Sequence, residues 1–503
     1  MRLLQINDGD FSLVEHVDGN IPRYAILSHT WGADHEEVTF KDVMKGTGKS
    51  KLGYRKLTFC AKQATQDGLH LFWVDTCCIN KSSTAELSEA INSMYQWYLG
   101  ATRCYVYLSD VTTIGLSGTD LAFEKSRWFT RGWTLQELLA PKSVEFFSVE
   151  GDLLGDKGSL VQKITKITGI SIEALQGRPL EEFSIEERMS WAHGRQTKRK
   201  EDAAYALLGI FDIHMPLIYG EGEAKALKRL RKEIDESLEE ARSHREKICK
   251  WLSAPDPSTN YGEAGKQRQA DTGLWFLESE QFARWKMDVA SRLWLHGFPG
   301  CGKTILASTI TQSLLQHCHD TPSMVVVYFY FDFNDPQKQD PELMLCSLLC
   351  QLLQRSVNVP GSLDALFSSR GSGRQLSLDE LLEVMQQVIH EFTHVYILLD
   401  ALDECTQRSK LLDLLGTIVR WQLQSLHLLM TSRKERDIES VLEAYVDEKD
   451  TVCLQSEVVN KDIRRYIRQR LSDDNSLAKW NNDAVIREEI ETALMSRAYG
   501  MYS

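Results

Sequence analysis

The chain has 503 residues, 43% hydrophobic and 26% charged, the usage of an ordinary globular protein with room for roughly two to four domains. Its formal net charge of −13 argues against a general nucleic-acid or anionic-membrane surface, so a bound polyanion needs a local site.

At the N-terminus, MRLLQINDGDF meets Asp and Asn before an apolar core of signal-peptide length develops. Four short apolar runs then read as buried strands: YAILS (Tyr24–Ser28), LFWVD (Leu71–Asp75), CYVYL (Cys104–Leu108) and VEFF (Val144–Phe147). Between the second and third lies a helix with Leu87, Ile91, Met94, Tyr95 and Tyr98 on one face. Strands alternating with helices predict a parallel α/β sheet. Before the fourth run, RGWTLQELLAP (Arg131–Pro141) opens a helix and places Trp133 and Glu137 four residues apart on one face. The pair is either packing beside a solvated acid or a carboxylate held against an indole for chemistry.

A helical region from about Ser159 to Leu252 ends in KALKRLRKEIDESLEEARSHREK, whose interleaved charges suggest a solvated helix. The stretch SAPDPSTNYGEAGKQ (Ser253–Gln267) shows no periodicity and marks the main boundary. The expected division is residues 1–240, a helical and irregular linker at 241–270, and a second α/β domain at 271–503. Strand candidates in the second domain are RLWLHG, MVVVYFYF, HVYILLD and LHLLMTS. The chain stops at SRAYGMYS after a helical pattern. No apolar run reaches the ~18–20 residues of a membrane helix. The 11 cysteines include no CxxC pair, which suits free thiols in a cytoplasmic protein better than disulfides or zinc.

The strongest motif is GFPGCGKT: Gly297, Phe298, Pro299, Gly300, Cys301, Gly302, Lys303 and Thr304, matching G-x-x-x-x-G-K-[ST]. Its glycines let backbone N–H groups turn toward phosphate oxygens. Lys303 would reach the outer phosphates and Thr304 would place its hydroxyl on Mg²⁺, at the positive end of the following helix. The alternative is a plain glycine turn between strand and helix. In HVYILLDALDE, five apolar or aromatic residues deliver Asp400 to the carboxyl end of a strand, where it suits the Mg²⁺ shell. Asp403 or Glu404 would polarise an attacking water. LLMTSR brings Arg433 to another strand end, either as a γ-phosphate sensor or as a surface residue. No base-reading motif separates ATP from GTP.

In this order, the P-loop, LLDALDE and LLMTSR resemble the NACHT branch of signal-transduction NTPases over about Trp275–Tyr499, and ADTGLWFL (Ala270–Leu277) resembles the segment before the P-loop in fungal members. YAILSHTWG, LFWVDTCCIN, RGWTLQELLAP and KEDAAYALLGIFDIHMPLIYGEGEAKALKRL resemble, in order, the blocks of the fungal heterokaryon-incompatibility (HET) domain over about Met1–Ile234. The whole is similar to vegetative-incompatibility proteins of the HET–NACHT–WD-repeat type, and breaks off before the repeats. The resemblance implies a doubly wound P-loop NTPase domain using Mg²⁺ with ATP or GTP. It also implies a switch that controls self-association into a homo-oligomer, answering an unknown non-self trigger protein, with the HET domain as cell-death effector.

The HET blocks also look like a diverged TIR domain with a helical extension. In TIR domains that cleave NAD, the Glu of the Trp–Glu helix motif is catalytic, which implies that role for Glu137 beside Trp133. Ser28, His29 and Asp75 would lie at the carboxyl edge of a parallel sheet and converge there. Against this stand plainer roles: Trp133 as core, Glu137 as solvated helix surface, His29 as a loop cap, and Asp75 as a turn acid before the buried thiols Cys77 and Cys78. In the non-catalytic alternative, the HET domain is a scaffold clustered by the NTPase.

Overall fold

Short buried strands dominate both halves of the computed structural model, which describes residues 1–7, 10–16, 21–114, 119–269, 272–356, 358–370, 376–454, 462–465, 467 and 488–493. The stretch SRAYGMYS lies outside the described residues, as do Ala270 and Asp271. The chain divides into two units, Met1–Glu240 and Ala241–Ser503.

In the first unit the strands are β1 (Arg2–Asn7), β2 (Asp10–Glu15), β3 (Ala25–His29), β4 (Leu71–Trp73), β5 (Arg103–Tyr107), β6 (Val144–Phe147) and β7 (Leu153–Asp156), in the order β2-β1-β4-β3-β5-β6-β7. The four central strands run parallel, as expected. The margins correct the all-parallel expectation: β1–β2 is an antiparallel hairpin added beside β4, and β7 returns antiparallel to β6. These edge strands alternate between half-buried and exposed residues, so they lack the continuous apolar run that betrays a central strand. The central order β4-β3-β5-β6 reverses direction between β3 and β5. Connections leave a crevice at such a point, at the carboxyl ends of the strands.

The second unit is built on β8 (Arg292–His296), β9 (Met324–Tyr330), β10 (His394–Asp400), β11 (Leu426–Ser432) and β12 (Thr451–Cys453). They form a parallel sheet in the order β12-β8-β11-β10-β9. Both faces are covered, which explains the unbroken apolar runs. Along β10, Val395, Ile397 and Leu399 enter one core while Tyr396 and Leu398 enter the other.

The stretch Ser253–Gln267, without periodicity in the sequence, is partly helical. The helix Glu223–Leu252 runs on into the second unit, placing Ile248 and Leu252 in its core. Ser258–Gln267 is a further helix, and just before it the Asp256 carboxylate accepts from the Ser258 amide (2.8 Å) and hydroxyl (2.9 Å). Gly262 and Gly265 disfavour a helix on propensity alone. Packing overrides them: Ala264 is buried, and the Tyr261 carbonyl accepts from Ser308 of the helix Lys303–His317 (3.3 Å).

Candidate nucleotide site and the Glu137 cluster

Strand β8 ends at His296, and the chain turns through the P-loop into the helix Lys303–His317. Gly300 and Gly302 carry φ of 74° and 87°, the left-handed region that a side chain disfavours, so the loop's amides turn inward as the motif requires. The Lys303 ammonium donates to the Gly297 and Phe298 carbonyls, both at 2.9 Å. The Thr304 hydroxyl donates to one oxygen of Asp400 at 2.7 Å. The other Asp400 oxygen accepts from Thr431 of β11 at 2.6 Å. Burial raises the Asp400 carboxyl, against the lowering effect of the two hydroxyls and of Lys303. Ala401 follows in a left-handed conformation (φ 56°), with its amide donating to Thr431 at 3.0 Å. That strained turn separates Asp400 from Asp403 and Glu404.

Arg433 and Asp403 are already partners. The Arg433 amide and Nε reach the two Asp403 oxygens at 2.8 and 3.0 Å. Asp403 thus holds Arg433 beside Glu404. Glu404 accepts from the Phe333 amide at 3.1 Å, and burial raises its carboxyl. A cavity of about 910 Å³ is lined by Pro299 to Leu306, Asp403, Glu404 and Arg433. Its remaining wall comes from Asn260, Lys266 and Arg268 of the expected linker, and from Thr272, Gly273 and Trp275 of the ADTGLWFL stretch, among others. Hydroxyl and carboxylate oxygens beside a lysine ammonium fit an Mg²⁺–polyphosphate. Asp400→Asn should weaken Mg²⁺-dependent triphosphate binding by about 10–100-fold, since it acts on the ion beside Thr304. Titration with and without Mg²⁺ checks this; equal Mg²⁺ enhancement in the variant would remove Asp400 from the site.

In the first unit Trp133 and Glu137 each hydrogen-bond elsewhere, Trp133 to Asp202 and Glu137 to Ser28. All six residues of the helix Thr134–Leu139 are buried, and Glu137 is 8% exposed. Its carboxylate accepts from Ser28, and Tyr98 is a second hydrogen-bond partner. The indole in this cluster is Trp128, whose Nε1 donates to Ser28 at 2.7 Å. The 3₁₀ turn Arg127–Thr130 delivers Trp128 inward, while Trp133 precedes the next helix and donates to Asp202 at 3.3 Å. Burial pushes the Glu137 carboxyl up to about 8, with the charge of Asp75 adding to it. Glu137 is thus neither solvated helix surface nor a ready carboxylate.

Ser28 and His29 do not converge. Neighbours on a strand point to opposite faces. Ser28 meets Glu137, whereas buried His29 faces Glu37 at 3.8 Å with its Nε2 lacking a hydrogen-bond partner. Glu37 is itself held by Lys56 at 2.5 Å, and burial pushes His29 well below its usual range. Asp75 opens the short helix Asp75–Cys78, hydrogen-bonds the Trp31 indole and lies 3.8 Å from Lys81, which packs over Trp31. Cys77 and Cys78 are buried thiols raised by burial, Cys77 to about 12.

A family model for the heterokaryon incompatibility protein (HET) matches residues 24–120, and one for the N-terminal region of nephrocystin 3 matches residues 271–433. The vegetative incompatibility protein HET-E-1 of Podospora anserina is 39% identical over 523 aligned positions, covering all of this chain. The chain spans 37% of that protein's length. Among solved structures, Cdc6p from Pyrobaculum aerophilum aligns at 16% identity and a TM-score of 0.26, over 41% of this chain and 50% of its own. A Drosophila ORC chain from a DNA-bound structure aligns at 15% and 0.25, over 48% and 59%. Likenesses that slight bear on neither fold nor function. The end-to-end match to HET-E-1 and the order of the two family matches agree with the motifs: over its own length, the chain belongs to the heterokaryon-incompatibility proteins that join a HET domain to a NACHT-type P-loop unit.

Proposed function

We propose that the second unit binds and hydrolyses a nucleoside triphosphate with Mg²⁺, ATP or GTP, and thereby controls self-association of the HET unit in vegetative incompatibility. The observation that carries this is the 2.7 Å contact between Thr304 and Asp400 beside Lys303, at the wall of a cavity of nucleotide size. An Mg²⁺ held there would supply positive charge against the phosphate oxygens. Thr304 and Asp400 would orient it, Lys303 would donate to phosphate, and Glu404 is the better placed of the two acids to take a proton from water. Arg433 reports on the γ-phosphate by trading Asp403 for it, and such an exchange orders neighbouring segments. Light scattering of the full chain should therefore give a larger particle with a non-hydrolysable triphosphate than with diphosphate. Equal sizes with both nucleotides bound would defeat the switch, and failure of either to bind would defeat the site.

A second reading concerns the HET unit. The Ser28–Glu137 contact near the β3–β5 switch point favours Glu137 as the acid of a TIR-like NAD cleavage. Nicotinamide leaves neutral with the bonding pair and needs no proton, so the ionised form of Glu137, facing the oxocarbenium-like ribosyl centre, is the one that would act; with the acid raised to about 8, that form grows as pH rises. The scaffold alternative requires only that the cluster hold the fold together. Clustering of HET units, the trigger protein and a cytoplasmic site of action belong to this proposal; among the described residues no helix is long and apolar enough to cross a membrane.

A further inference from the structure

The first unit contains a cavity of about 920 Å³ that neither reading uses. Its wall includes Leu139, Ala140 and Pro141 after the Glu137 helix, together with Tyr95 and Phe211. Two cations are buried in that wall, Lys157 and Arg188, each 9% exposed. Lys157 donates to the Leu138 and Pro141 carbonyls (3.3 and 2.8 Å), leaving one ammonium proton over. Arg188 lies over the Phe211 ring at 4.5 Å and donates to the Ile210 carbonyl at 3.2 Å, while its Nε is buried with no partner.

Among the described residues neither cation forms a salt bridge with a carboxylate. Of the acids lining the wall, Glu145 pairs with Arg103 at 2.9 Å and Asp156 accepts from the Gly158 and Ser159 amides at 2.8 Å, while Glu181 and Asp212 line it as well. Glu181 reaches Arg188 only through space. Burying a cation with no carboxylate in contact is costly and shifts it toward neutrality; Lys157 is pushed down to about 8. An anion entering the cavity would remove that cost at both residues together.

We propose that this cavity binds a phosphate-bearing small molecule, with Arg188 and Lys157 on the phosphate and Tyr95 and Phe211 against the remainder. A guanidinium fork matches two phosphate oxygens, an ammonium supplies a point charge, and the volume suits a molecule of nucleotide size. Such a ligand would also touch the residue that closes the carboxyl end of the Glu137 helix, so effector and ligand share one element.

Inorganic pyrophosphate is the probe, titrated by calorimetry into the full chain carrying Lys303→Ala so that the P-loop does not mask the result. One site is expected, weakened at least about tenfold by Arg188→Gln and less by Arg188→Lys, which keeps the charge but not the fork. Hydrogen exchange on the Lys303→Ala chain tests the same site with Arg188 intact. Pyrophosphate should then protect residues 157–158, 185–190 and 209–212. Absent binding, protection confined to the P-loop, or affinity unmoved in a folded Arg188→Gln chain would overturn the proposal.

Discussion

Lys303→Ala is expected to lower the affinity for an Mg²⁺–triphosphate by at least ~100-fold while the first unit stays folded. The ammonium is the cation of the loop, and a charge-assisted hydrogen bond to phosphate is worth about 1.5–3 kcal/mol. A loss of ~2.7 kcal/mol is a hundredfold in affinity. The substitution also removes the two 2.9 Å bonds to the Gly297 and Phe298 carbonyls, which tie the loop back on itself. Those bonds take two of the three ammonium protons and leave the third for phosphate. The first unit has its own core around Leu3, Trp73, Trp128 and Phe146, and its circular dichroism and tryptophan emission should not change. Fluorescent-triphosphate titration reads the affinity. A variant within threefold of the wild type would remove the nucleotide assignment altogether.

The parts of this site that were legible in the sequence are contiguous in it. The P-loop is one strand, one glycine loop and one helix, and Asp400 ends an apolar run, so spacing alone predicts their meeting. Thr431 was not legible, because its contact with Asp400 depends on β11 lying between β8 and β10, an order that no local pattern encodes. The helix Ser258–Gln267 was hidden by two glycines, which packing against the P-loop helix offsets. In the first unit, the central strands were legible from apolar runs and the β1–β2 hairpin was not. Spacing also favoured Trp133 over Trp128: four residues on one helix face is a strong pattern, but it assumes that the helix has already begun. Here the chain makes a 3₁₀ turn first, and the indole two residues into that turn takes the inner position.

Glu137→Gln should make the first unit more stable at pH 8 and leave it nearly unchanged at pH 4.5. The folded-state acid titrates near 8, against an ordinary value of 4.5 in the unfolded chain. Between those values the unfolded state has lost a proton that the folded state keeps, so wild-type stability falls as pH rises through this window. The slope is on the order of 1.4 kcal/mol per pH unit for one group, and it levels off above 8. Gln carries no proton to lose, retains an oxygen to accept from Ser28, and should flatten the profile. Denaturant unfolding across pH measures the slope; a variant with the wild-type slope would mean that Glu137 is not the buried neutral acid. The same variant divides the two readings of the HET unit. If the Glu137 carboxylate stabilises the ribosyl cation in NAD cleavage, nicotinamide release by clustered full-length chain should fall by ~10²–10⁴ in a protein that is more stable than its parent. Trp133→Phe is the control, since its indole bonds Asp202 rather than this cluster, and its release should match the wild type. Should the Gln chain still release nicotinamide at the parental rate, or should neither release any, the Ser28–Glu137–Trp128 network is a polar core element and the HET unit acts by assembly.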